Sequence, residues 1–345
     1  MRHPIISAAC LLALSAHAFA DNAAAPTDVS RAAEILAHAA TISATPSLNL
    51  DPPQPEAPAA ATPPHFVHNR DSIPERPDIV FPFDGRFEYT DRAAVGGDPG
   101  SVQVQRAALA GNLIFGPEHD LQISFPVDWE VSQYSFRQAD GVFPGGSTRV
   151  RNVQQIVFAP NVETKISDEW GVFGGGLIID AGQFGADRTT TYGGFGGVIW
   201  RPDKTLTIRA GIGARTRLED YIEVLPAFWL EWKIDERTRL TSQGNNIRFE
   251  YDINEAWCIK FDAAYETRDF RLNDSNPGAQ AVFRDRQIPI TARIEFVPHA
   301  ATRFEAWIGT NIYREFTVDL QKDNRYFRGH ATPSIVVGVS FEIIF

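Results

Sequence analysis

No stretch of this 345-residue chain reaches the roughly 18 consecutive apolar residues of a membrane-spanning helix. That absence leaves a β-barrel open, because alternating strands give only a weak hydropathy signal. Cysteine is nearly absent. The two present are Cys10 and Cys258, too few for a disulfide framework in the mature chain. His65, His68, His119, His299 and His330 are scattered, and no pair sits at metal-ligand spacing with carboxylates. There is no G-x-S-x-G elbow and no Gly-Lys-Ser/Thr phosphate loop. An enzyme is therefore not expected, and neither is a cofactor. Excess positive charge is missing too. The formal net charge is −11, which argues against a nucleic-acid partner.

What is present begins with a segregated amino terminus. Arg2 precedes an apolar stretch from Ile5 to about Ala16, and Ala18-Phe19-Ala20 is a small-x-small cleavage site. This is the pattern of a secretory signal peptide over residues 1–20, cleaved near Ala20. Cys10 lies within the apolar stretch, so the cleaved signal is preferred to a lipoprotein signal. Residues 21–78 are rich in Pro and Ala, including Pro46, Pro52, Pro53, Pro55, Pro58, Pro63 and Pro64. Such a segment stays extended and buries no core, which predicts a disordered periplasmic tether.

Residues 79–345 alternate with period two. The clearest run is Leu121, Ile123, Phe125, Val127, Trp129 and Val131, interleaved with Gln122, Ser124, Asp128, Glu130 and Ser132. Half-buried strands read this way. A second pattern recurs at the connections. Phe115-Gly-Pro117-Glu118, Trp200-Arg-Pro202-Asp203, Trp232-Lys-Ile234-Asp235, Tyr251-Asp-Ile253-Asn254 and Phe296-Val-Pro298-His299 share one form, with Ile166-Ser167-Asp168-Glu169 a weaker copy. Pro and Asp or Asn pre-set a tight turn, and the aromatic fits a girdle at a membrane interface. Longer connections alternate with these turns, at about 92–101, 135–147, 180–188, 216–220, 243–246, 269–285 and 318–332. The parity predicts an all-β, transmembrane, antiparallel up-and-down barrel of about 14 strands. It falls to 12 if the pair around residues 243–246 does not cross.

The apolar face is assigned to lipid and the opposite face to the lumen. Candidate lumen-lining residues are Arg209, Arg215, Glu223, Glu231, Arg248, Glu250, Asp262, Glu266, Arg293, Glu295, Arg303 and Glu305. Neighbouring Arg and Glu can pair across strands, so the mixed signs point to weak ion selectivity. Cys258 falls on the same face and reads as a small packed residue. Gly174-Gly175-Gly176 and Gly193-Gly194 with Gly196-Gly197 mark barrel curvature in adjacent strands. Asp269, Asp274, Asp285, Asp319 and Asp323 read as solvated loop residues rather than calcium ligands.

The last strand alternates without a break. Ile335, Val337, Val339, Phe341, Ile343 and Phe345 share one face, opposite Ser334, Gly338, Ser340 and Glu342. This resembles the closing strand of bacterial outer-membrane β-barrels. The resemblance implies an assembly signal at Phe341, Ile343 and Phe345, read by the barrel-assembly machinery, and outer-membrane lipid as a partner. The turn Trp200-Arg201-Pro202-Asp203 is also similar to turns in a group of uncharacterised outer-membrane barrels. Two functions fit: a porin-like channel for passive or weakly selective passage of small solutes, or a structural barrel with a closed lumen that acts through its loops. Modest loop lengths favour the channel.

Overall fold

The computed structural model describes residues 78–95, 100–116, 120–139, 150, 152–219, 221–273, 281–320 and 325–345. The signal-peptide reading, the tether (apart from Asp78), Cys10, His65, His68, His119, Asp274, Asp323 and the Pro117-Glu118 turn lie outside them.

Among the described residues the elements are all strands: β1 (Ile79–Val80), β2 (Pro82–Ala94), β3 (Ser101–Phe115), β4 (Leu121–Arg137), β5 (Asn152–Phe158), β6 (Asn161–Lys165), β7 (Trp170–Gln183), β8 (Thr190–Trp200), β9 (Leu206–Thr216), β10 (Ile222–Lys233), β11 (Thr238–Gln243), β12 (Asn246–Asp252), β13 (Trp257–Ala264), β14 (Glu266–Arg271), β15 (Val282–His299), β16 (Thr302–Leu320), β17 (Arg325–Ala331) and β18 (Ser334–Ile344). Each pairs antiparallel with the next around the ring, and β18 pairs with β2 to close it. Three crossings are each broken into two segments, β5/β6, β13/β14 and β17/β18, and β1 only edges β3. The sheet is therefore a closed, up-and-down barrel of fourteen strands. The twelve-strand alternative fails, because β11 and β12 pair with each other and with β10 and β13.

The breaks have local causes. Pro160 and Pro333 sit in two of them, where proline has no N–H to give the ladder. The third is at Tyr265, directly after the Asn246–Ala264 pair that ends the pairing of β12 with β13. Beyond that point β14 has lost its neighbour. Its free edge meets β7 in a parallel bridge, Arg271 to Gly182. A Cβ at Gly182 would lie 2.5 Å from the Thr189 side chain and 3.0 Å from the Arg271 carbonyl oxygen, so this approach requires glycine. The sheet thus closes twice. At the end carrying the short turns all fourteen strands form one ring. At the loop end β14 and β7 close a smaller ring that leaves out β8–β12.

That smaller ring is filled. Tyr134, Phe136, Phe270, Phe283 and Phe316 are buried there with Val102, Val104, Val318 and Leu272. Tyr134 meets Phe283 edge-on at 5.0 Å, and Phe136 meets Phe316 edge-on at 5.2 Å. Edge-to-face packing of this kind adds to the burial of the rings themselves. An apolar core inside the loop end was not anticipated from the alternation, which led to a uniformly charged and hydrated lumen.

Candidate functional site

The turns set the barrel's rim. In three of them one backbone pattern recurs: the N–H groups of Ile166 and Ser167, of Ile234 and Asp235, and of Ile253 and Asn254 donate to the carbonyls of Trp170, Thr238 and Trp257. The polar residue then caps the return strand. Asp235 Oδ1 accepts from the backbone of Arg237 and Thr238, both at 2.8 Å, and Asn254 Oδ1 from Ala256 and Trp257 at 2.9 and 3.0 Å. Asp203 does the same for Thr205 and Leu206. Those backbone donors hold the Asp235 carboxyl below the usual carboxylate range. The aromatics of these turns face outward; Trp170 stacks on Trp200, and Trp257 lies tilted against Phe296 with ring centroids 4.7 Å apart. The repeated turn was legible in the sequence; its shared bonding was not.

Inside, the predicted lumen residues do share one face. Arg209 pairs with Glu163 at 3.3 Å, Arg215 with Glu223 at 3.0 Å, and Arg303 with Glu342 at 3.2 Å. Arg248 and Arg293 both reach Asp262, and Lys260 binds Glu295 at 2.6 Å and also Glu305. Glu266 accepts from Arg268 at 2.6 Å. Glu250 stands in register between Arg239 and Lys260, and Glu231 is exposed near the turn end. Cys258 is buried on this face, as expected. Phe341, Ile343 and Phe345, expected to form an assembly signal, face outward: Phe341 lies against Phe83 at 6.1 Å, and Phe345 exchanges two backbone hydrogen bonds of 3.1 Å with Phe81.

The sequence reading missed the centre of this lattice. Asp285, expected in a solvated loop, is wholly buried. It accepts from Arg314 at 2.6 and 3.0 Å, from Arg106 at 2.6 Å and from the Tyr134 hydroxyl at 2.8 Å. Arg106 also binds Glu88 at 2.6 Å. Asp269 is likewise no loop residue; it binds Arg217 and Arg284 on the far face of β14. With Arg284 bound to Glu219 and Arg271 donating to the Leu218 carbonyl, this ties the 217–219 loop across β14. One signal was available: along β4 the lipid-side residues are odd-numbered, yet Tyr134 and Phe136 are even-numbered, so an apolar pair had to face inward.

Water has unequal access to this interior. Around Asp285, on β2–β4 and β13–β16, the charges are sealed: Asp285 is 0% and Arg314 1% exposed, whereas Arg86 and Asp128 on the same strands are 43% and 37% exposed. On the side of β7–β11, Arg209 and Arg215 are each 30% exposed. A cavity of about 440 Å³ lies in the all-strand part of the barrel, lined by Asp84, Arg86, Glu88, Arg303, Trp307 and Glu342 among others. Among the described residues no group of His, Cys, Asp and Glu is arranged to hold a metal.

A model of the family described as "Domain of unknown function (DUF6268)" matches residues 165–344. The chain belongs to this family. No curated protein matches it. Among solved structures, it is similar to a Pseudomonas aeruginosa FadL homologue, with 11% identity, 77% of this chain and 90% of the other covered, and a TM-score of 0.46. It is also similar to the COG4313 outer membrane channel from Pseudomonas putida F1, with 6% identity, 83% and 100% coverage, and a TM-score of 0.41. The P. putida toluene transporter TodX is similar at 8% identity, 81% and 93% coverage, and a TM-score of 0.38.

Proposed function

We propose that this member of the family is an outer-membrane barrel acting as a porin-like channel, with passive or weakly selective passage of small solutes. The observation that carries it is the outer surface. It is apolar around the ring, from Phe87, Leu109 and Trp129 through Val198, Ile212 and Val224 to Phe261, Ile294, Ile308 and Val339, all exposed. A continuous apolar surface of this extent is incompatible with water and matches lipid. Its height fits as well. The ten residue steps from Ile222 to Trp232 span about 33 Å along β10, or about 25 Å at a tilt of ~40°, the height of an outer-membrane apolar band.

A channel is favoured over a sealed barrel because the ring that the aromatic core fills excludes β8–β12, and the ion pairs along β9 remain partly exposed. Paired charges of both signs line the interior, which supports weak rather than strong selection. In this reading a signal peptide cleaved near Ala20 exports the chain, Phe341, Ile343 and Phe345 present the assembly signal, and residues 21–78 tether on the periplasmic side. Swelling of proteoliposomes in solutes of graded size tests the reading. Swelling that falls off with solute size is expected. No swelling in the smallest solutes, with the barrel folded and inserted, would refute it.

A further inference from the structure

The interior has one wall unlike the rest. Arg209, Gly211, Gly213 and Arg215 are inner-facing on β9, opposite Ile199, Gly197, Phe195 and Gly193 of β8 and Trp229, Ala227, Leu225 and Glu223 of β10. Phe173 of β7 completes the wall, edge-on to Trp229 at 5.3 Å. The order along the wall is an ion pair, an apolar and glycine-rich belt, and a second ion pair. Arg209 and Arg215 are six residues apart, so the two pairs lie about 20 Å from each other. Glycine leaves the backbone bare, so the wall stands back from the centre. Leu225, although inner-facing, is 39% exposed. Across from this wall the loop end is occupied by the aromatic core and by Asp285 with its two arginines below it; nearer the turns Lys260 binds Glu295 and Glu305 beside the 440 Å³ cavity.

We propose that the water-filled route through the barrel runs along this wall, over the inner faces of β7–β11, and that the Gly213–Ala227 belt sets its width. The statement deepens the channel reading and rests on it for function, but the position of the water is separable. At the loop end the route is bounded by the 217–219 loop, which Arg217, Arg271 and Arg284 tie to β14. Water enters the other half only as far as the 440 Å³ cavity.

Two pairs of variants test it. Ala227→Cys places a thiol on the belt, and Ala108→Cys places one on the inner face of β3, where Ala108 is buried. The folded barrel in lipid vesicles is treated with a small cationic methanethiosulfonate. Ala227→Cys should react at least ~10-fold faster than Ala108→Cys and than native Cys258, since a buried thiol reacts only through local opening. Gly213→Leu and Gly174→Leu form the second pair. A Cβ at either site meets nothing closer than 3.5 Å, so both should fold. Gly213 faces the wall and Gly174 faces outward, so Gly213→Leu should lower single-channel conductance by ~2-fold or more and Gly174→Leu should not. If the wild type does not conduct but the labelling order holds, the channel reading fails while the wet wall stands. Labelling of Ala108→Cys as fast as Ala227→Cys, slow labelling of Ala227→Cys, or an unchanged conductance in Gly213→Leu would overturn the proposal; should Gly213→Leu fail to fold, the labelling decides alone.

Discussion

Asp285 offers the sharpest energetic test of the sealed layer inside the barrel. Its carboxylate is fully buried and serves Arg314, Arg106 and the Tyr134 hydroxyl at once. Among the described residues, Asp285→Ala removes the only acidic partner within salt-bridge distance of Arg314, itself 1% exposed, and leaves Arg106 with Glu88. A buried guanidinium stripped of its carboxylate costs about 3–5 kcal/mol. The reference is Glu342→Ala, which breaks the Arg303 pair at the wetter turn end, where both side chains keep a quarter or more of their exposure. That pair should be worth ~0–1 kcal/mol. Asp285→Ala combined with Arg314→Ala should recover part of the loss, with a coupling of roughly 1–3 kcal/mol, because the orphaned charge is gone. Urea unfolding of the barrel in vesicles, followed by tryptophan emission, compares wild type with Asp285→Ala, Arg314→Ala, their double variant and Glu342→Ala. Equal and small losses for Asp285→Ala and Glu342→Ala would mean that water reaches Asp285, and the sealing of the layer around it would be wrong.

Other outcomes follow from single contacts. The Trp307 ring lies flat against Gly338 under the Arg293 guanidinium, and a Cβ at Gly338 would strike that ring and come within 2.7 Å of the Phe87 carbonyl oxygen; Gly338→Val should destabilise by about 1–3 kcal/mol in the same unfolding assay, and neutrality would show that the ring is free to move. Deleting Phe345 removes the two backbone bonds to Phe81 and the proposed assembly signal; the amount of folded, heat-modifiable barrel in the outer membrane should fall, and normal levels would discount the signal. Asp235→Asn should be tolerated, because Asn254 makes the same turn, whereas Asp235→Ala should destabilise. The Asp235 carboxyl is held below its ordinary range, so its contribution is present above the unfolded-state value and lost as pH falls through the lower folded-state value. The stability gap between wild type and Asp235→Ala should therefore close in acid, and a gap that persists at low pH would exclude the charge as its source.

Much of this fold is written in local pattern. The outer faces of β4, β9 and β13 read directly from period-two alternation, since lipid-type surface admits few charges, and the turn residues announce themselves because each has a fixed backbone role. The twelve charged residues expected at the lumen share a face because the same alternation that fixes one face fixes the other. The unread parts depend on pairings distant in sequence. Asp285 meets Arg106 across 179 positions, and nothing local distinguishes it from a loop aspartate. The second closure of β14 on β7 follows from a missing neighbour, which no single strand encodes. The aromatic core inside the loop end was hidden by the assumption that inward means polar. That holds where the interior is wet, but strands as long as the 17 residues of β4 or the 19 of β16 run beyond an apolar band, and there the inner face packs like an ordinary core.

The central claim is that this barrel carries small solutes through its own interior with little preference for charge. Single-channel current from the purified, folded protein in a planar bilayer under a salt gradient measures it most directly. Stepwise insertion of conducting units with a reversal potential close to zero is predicted, and a shift toward cations when Arg209 and Arg215 are both reversed to Glu. Folded barrels that insert without any current, or that conduct one ion sign almost exclusively, would contradict it.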